Sequence, residues 1–196
     1  MAGSGEPEPL GAGFGGAVTS PPPCVDPASE VVNLFVLTMR QAFKPDGECP
    51  PVGGGSETVR FFAGDDGVLA YWDPNGRGCE DPFLWVRLWR RYRSSSKAFP
   101  AAVVANRNCR NKDTFAVVEV EIGVGRCAST EVNPKWSVLE TEAEVSLDDS
   151  WRIETALRTA ACRLQSETRA VATDTVAASG PEGGLIAWTG VAYVQI

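Results

Sequence analysis

The chain has 196 residues, a formal net charge of −7 and no histidine. That length fits one domain with a real core, and the acidic balance argues against a general binder of nucleic acid or anionic membranes. Without histidine, Ser-His-Asp and Cys-His nucleophile systems and His-ligated zinc or iron sites are excluded.

Residues 1–27 hold six Gly and six Pro and almost no bulky apolar groups. They read as a flexible arm that cannot offset its own ordering entropy. The remainder, 28–196, reads as a single domain. Asp26-Pro27 is a helix start, with Asp as cap and Pro in the first turn. The helix is expected to run to about Phe43. Val31, Val32, Leu34, Phe35, Val36, Leu37 and Met39 make it apolar on nearly every side, so it is covered on more than one face or packs on a partner. Lys44-Pro45-Asp46-Gly47 ends it, and Pro50 to Ser56 is loop.

Thr58–Ala63 and Val68–Trp72 are short strands around the turn Gly64-Asp65-Asp66-Gly67, which makes them a hairpin. Phe83–Tyr92 is a longer strand. Phe99–Val104 is a weak strand or connector. In Phe115–Val124, Ala116, Val118, Val120, Ile122 and Val124 share one face and Glu119 and Glu121 the other, the pattern of a half-buried strand. Residues 125–147 read as irregular, with Val138–Val145 extended. Asp148 and Asp149 then open a strongly amphipathic helix over 148–167. Its core stripe is Ile153, Ala156, Leu157, Ala160 and Leu164, and a second stripe of Trp151, Thr155, Arg158 and Cys162 lies on about the opposite side. Ala170–Ala178 is a strand that Ser179–Gly184 turns back into a terminal strand from Leu185. Ile186, Trp188, Gly190, Ala192, Val194 and Ile196 share one face of that last strand, and Leu185, Ala187, Val191 and Tyr193 the other. With both faces apolar, it is central and covered twice, or one face meets a neighbour. The expected fold class is α+β: a mixed or antiparallel β-sheet flanked by an N-terminal helix and a long amphipathic helix near the C-terminus, with a terminal β-hairpin.

The six cysteines, Cys24, Cys49, Cys79, Cys109, Cys127 and Cys162, form no CxxC pair, which removes the usual zinc and redox spacings. Residues 1–23 lack the basic start and apolar run of a secretory leader, so free thiols in a reducing cytoplasm are expected. No apolar run is long enough to cross a membrane. Arg87, Arg90, Arg91 and Arg93 interleave with Phe83, Trp85, Trp89 and Tyr92. That pattern suits single-strand nucleic-acid binding, a sheet strand with paired arginines, or ion pairing between subunits. The doublets Asp65-Asp66 and Asp148-Asp149 read as a turn and a helix start rather than as metal ligands. Gly53-Gly54-Gly55 lacks the Lys-Ser/Thr of a phosphate loop. No catalytic, cofactor or metal site is named, and no enzyme is expected.

From residue 114 onward the order is strand, loop, helix, strand, Gly-rich turn, terminal strand. The segments Val117-Val118-Glu119-Val120-Glu121-Ile122, Asp148-Asp149-Ser150-Trp151-Arg152-Ile153 and Gly184-Leu185-Ile186-Ala187-Trp188-Thr189-Gly190-Val191-Ala192-Tyr193-Val194 carry that order. It resembles the tail terminator proteins of long-tailed bacteriophages, and the Ala/Arg/Gly-rich, Trp-containing style resembles proteins of phages infecting actinobacteria. The resemblance covers about the last 80 residues and, loosely, the 28–43 helix. It implies a virion subunit assembled in the host cytoplasm. Such a subunit forms a homo-oligomeric six-fold ring that stops the tail tube protein, meets the head–tail connector or stopper, and lets DNA through its lumen without specific binding. On that reading Phe35, Arg87, Trp89, Arg91, Trp151, Arg158, Cys162, Trp188 and Tyr193 are the candidate interface residues. A head–tail stopper or connector and a single-strand nucleic-acid-binding module are the alternatives.

Overall fold

The computed structural model describes residues 24–64, 72, 79–103 and 113–196. The fold is α+β. Two helices, α1 (Ala28–Ala42) and α2 (Trp136–Leu164), lie against a sheet of six strands among the described residues. These are β1 (Val59–Ala63), β2 (Phe83–Ser95), β3 (Thr114–Cys127), β4 (Val171–Thr173), β5 (Ala177–Glu182) and β6 (Leu185–Gln195). The sheet order is β1-β2-β3-β6-β4, with β5 also pairing β6. Only β1–β2 is parallel, so the sheet is mixed.

α1 starts where expected, one residue differently from the expected cap. Pro27 takes the cap position, while the Asp26 carboxylate accepts the Ala28 N–H at 3.0 Å. The helix stops at Phe43, whose N–H still reaches Met39 O, ahead of Lys44-Pro45. Proline has no N–H to continue the ladder. The apolar excess of α1 is largely absorbed by the chain itself. Val31, Phe35 and Met39 are fully buried with Val118, Val120, Ile122, Ile153, Ala156, Ala192 and Val194 in one core between the helices and the sheet.

β6 is an interior strand, paired with β3 on one side and β4 and β5 on the other. Its alternation is the expected one. Ala192 and Val194 enter the helix-side core, and Ala187 joins Trp72, Phe83 and Trp85 in a second cluster. At Gly190 a Cβ would stand 3.2 Å from Leu157, so α2 packs directly on the strand backbone. The hairpin into β6 is tighter than expected. β5 extends through Glu182, and Gly183 and Gly184, at φ 59° and 79°, make the turn alone. Two consecutive positive φ values define the hairpin turn that matches strand twist.

Several expectations are corrected. α2 begins at Trp136, so 136–147 is helix rather than irregular or extended chain, and Asp148-Asp149 sits in mid-helix. The core-facing positions of that first half, Leu139, Glu142, Val145 and Ser146, mix apolar with polar side chains, which blurs the 3.6-residue period. β3 is not half-buried: Glu119 and Glu121 are 3% and 8% exposed. The 170–178 strand is broken into β4 and β5 around Asp174-Thr175-Val176. Of the expected weak strand or connector at 99–104, residues 99–103 are connector without a strand, and Val104 lies outside the described residues. β1 pairs in parallel with β2. Its expected hairpin partner, 68–72, lies outside the described residues except for buried Trp72. The 1–23 part of the arm, Asp65-Asp66 and Cys109 also lie outside them.

The free-thiol expectation fails at two positions. Cys79 and Cys127 are disulfide-bonded, with Cα atoms 5.4 Å apart, which ties the approach to β2 to the end of β3. Cys24, Cys49 and Cys162 are free and exposed. No helix among the described residues is long and apolar enough to cross a membrane.

Candidate functional site

The Arg/Trp strand is built around a bulge. Leu88 pairs Val120 but Arg90 pairs Glu119, so Trp89 is an extra residue in β2. A one-residue insertion reverses the side-chain alternation beyond it. Before the bulge, Leu84 and Val86 face the helices while Trp85 and Arg87 face away. After it, Arg91 turns to the helix side and meets the start of α1.

Each of the four arginines has a partner within the chain. Arg87 Nη2 donates to Glu121 Oε2 at 2.7 Å, and Trp85 Nε1 donates to Glu121 Oε1 at 2.9 Å. Both ends of this ion pair are buried. Arg90 pairs Glu119 and lies over the Tyr92 ring. Arg91 takes both oxygens of Asp26, one of them at 3.0 Å. Arg93 donates to the Thr114 carbonyl at 2.6 Å. The charges follow these contacts. Arg91 holds the Asp26 carboxyl below the usual carboxylate range, and Glu119 raises Arg90. Burial, with the Glu119 charge adding to it, pushes the Tyr92 phenol up to about 12.

A second charged cluster clamps the 42–54 loop onto α2. Arg126 Nη2 donates to Asp149 Oδ1 at 2.9 Å and to Gly54 O at 3.0 Å. Arg152 pairs Asp148 at 2.7 Å and donates to the carbonyls of Ala42, Cys49 and Pro50. Asp148 also accepts the Val52 N–H at 3.0 Å. Burial pushes the Asp149 carboxyl up, against the pull of Arg126. The acidic doublet is therefore a mid-helix anchor. Beside it opens a largely apolar cleft of about 490 Å³ bounded by Val124, Leu139, Val145, Ile186 and Trp188. Among the described residues no group of three or more His, Cys, Asp or Glu is placed to hold a metal ion.

The candidate interface residues fall into three sets. Phe35 is fully buried in the core, and Arg87 is enclosed with Glu121, so neither presents a surface to a neighbour. Trp188 is half-buried with its indole N–H on Ser146 Oγ at 2.8 Å, and Tyr193 is half-buried with its hydroxyl on Asp174 at 3.2 Å. Trp89, Arg91, Trp151, Arg158 and Cys162 are exposed. Sequence reasoning missed Trp136 and Leu147, which continue the Trp151 stripe along α2 and are more exposed than it. Their spacing of 11 and then 4 residues is the signal that a helix over 136–147 would have given. No protein-family model matches the chain, and no curated protein matches it significantly.

Proposed function

We propose that the protein is a structural virion subunit: a ring-forming tail terminator of a long-tailed phage that caps the tail tube and joins it to the head connector. The observation that carries this reading is the exposed apolar ridge of Trp136, Leu147 and Trp151 on α2. It sits within the strand–helix–hairpin order that prompted the resemblance. Large exposed apolar groups aligned on one helix mark a contact surface. The mechanism is geometric: one ring face complements the last tube ring, the other complements the stopper, and DNA passes through unread. Assembly takes place in the host cytoplasm and the finished protein sits at the virion neck.

The test is assembly. Tails made without this protein should grow beyond normal length. Normal-length tails that fail to join heads would replace the terminator role with that of a stopper. The single-strand binding reading is disfavoured by the internal partners of Arg87, Arg90, Arg91 and Arg93.

A further inference from the structure

α2 carries its ridge on the side away from the core. Trp136, Leu147 and Trp151 are 79%, 72% and 56% exposed. Helical spacing puts all three within about 60° of one another. The exposed Glu140, Glu144 and Glu154 lie along the same side. From Trp136 to Trp151 the ridge is about 22 Å long at the helical rise.

At the β1 edge of the sheet a groove of about 560 Å³ runs between α1 and β1. Val32, Val36, Val59 and Phe61 give it an apolar lining, and Phe61 is 52% exposed. Arg40 stands exposed at one end. At the other end Arg91 is neutralised by Asp26. The groove follows α1, whose 15 residues span a length close to that of the ridge. Ridge and groove share no residue.

We infer that the α2 ridge of one subunit seats in the α1–β1 groove of the next copy of this chain. Among the described residues both surfaces are open and carry large apolar side chains. The ridge is flanked by carboxylates, and the groove presents the exposed Arg40 on an acidic protein. Their lengths agree. Because the two patches differ, the contact is heterologous, and repeating it closes a ring or grows a filament. The inference rests on the ring-subunit reading and names the surfaces that make the ring.

The experiment is cross-linking of the full chain with Cys24, Cys49, Cys109 and Cys162 replaced by serine. Leu147→Cys and Phe61→Cys together should give a ladder of dimer, trimer and higher species on mild oxidation, whereas either cysteine alone should stop at a dimer. In sedimentation, Trp151→Glu should weaken self-association at least about tenfold, as loss of an aromatic anchor does. Because Trp151 is exposed, its circular dichroism should stay native. Glu144→Arg and Arg40→Glu should each weaken the contact, and the two together should recover it. A chain that stays monomeric at the highest attainable concentration, or a double-cysteine variant that stops at the dimer, overturns the inference. The tail-length assay separates the two readings. Overlong tails without a ladder remove this contact and keep the terminator, while a ladder with normal tail length keeps the contact and removes the terminator.

Discussion

Gly123 sits opposite Trp85 in the β2–β3 ladder, and the indole lies over it. A Cβ at this position would stand 2.2 Å from Trp85 Cζ2 and 2.4 Å from Cε2. Trp85 is 2% exposed, so its ring is enclosed by neighbouring atoms. Gly123→Ala therefore either compresses the pair or expels the indole. Overpacking a filled site costs about 1–3 kcal/mol. Expulsion also breaks the 2.9 Å bond from Trp85 Nε1 to Glu121, and a hydrogen bond to a charged group contributes about 1.5–3 kcal/mol. Replacing a strand glycine returns about 0.5–1 kcal/mol of backbone entropy. With the indole expelled the net expected loss is about 1.5–5.5 kcal/mol, measured by urea unfolding followed by far-ultraviolet circular dichroism. Gly190→Ala is the internal comparison, since the atoms nearest its Cβ would be side-chain methyls of Leu157, Val176 and Ile153 at 3.2–3.4 Å. It should cost less. Adding Trp85→Phe to Gly123→Ala should recover part of the loss, with a coupling of at least about 1 kcal/mol. If Gly123→Ala costs under about 0.5 kcal/mol, or no more than Gly190→Ala, the indole does not depend on that glycine and the reasoning fails.

Removing the partner of a buried charge is expected to cost about 3–5 kcal/mol, so Glu121→Ala should destabilise by that amount while Glu121→Gln, which keeps one acceptor for the indole, costs less; equal losses in urea unfolding would count against the pairing. Burial raises the Asp149 carboxyl above its ordinary 3.8, so the folded chain binds that proton more tightly than the unfolded one, and stability should fall as pH rises between the two values. Asp149→Asn should flatten that segment of the stability–pH curve, and an unchanged slope would remove Asp149 as its source. Closing a loop with a sequence separation of 48 contributes up to about 4 kcal/mol in the chain-entropy account, so Cys79→Ser should lower the urea midpoint correspondingly. Under native, non-reducing conditions Cys24, Cys49 and Cys162 should label with a thiol reagent while Cys79 and Cys127 should not; labelling of the latter pair before reduction would refute the bridge.

The parts of the fold legible in the sequence are those where one physical signal acts alone. β6 reads as a strand because its alternation is strict and both faces are apolar, and the structure places it inside the sheet. Ile153, Ala156, Leu157, Ala160 and Leu164 read as a core stripe for the same reason and are buried. The first half of α2 was illegible because its inward positions are chosen for polar contacts: Glu142 accepts the Ser129 N–H and Ser146 accepts the Trp188 indole. Glu119 and Glu121 read as solvent-facing because a carboxylate alone carries no sign of burial. Only their cross-strand partners Arg90 and Arg87, far away in sequence, reveal it. The bulge at Trp89 also leaves no mark in the alternation until the partner strand is known. The disulfide follows no local motif, since its cysteines lie on separate elements.

That hidden pairing decides which surface of the molecule is free to act. A single-strand binder that used Arg87 would have to turn it outward to reach a phosphate. Its guanidinium is bonded to Glu121 behind a 7%-exposed side chain. Opening a buried pair of this kind costs about 3–5 kcal/mol, while one base stacked on an aromatic returns about 1–3 kcal/mol. Trp89, at the bulge, is the available stacking platform, and the Arg87 guanidinium already lies 4.8 Å from its ring centre. Binding there would first dismantle the contact that positions it. The ridge on α2 is already open to a partner, because Trp136 and Leu147 are 79% and 72% exposed among the described residues. Seating them removes apolar surface from water at about 25 cal/mol per Å², which is a gain from the first contact onward.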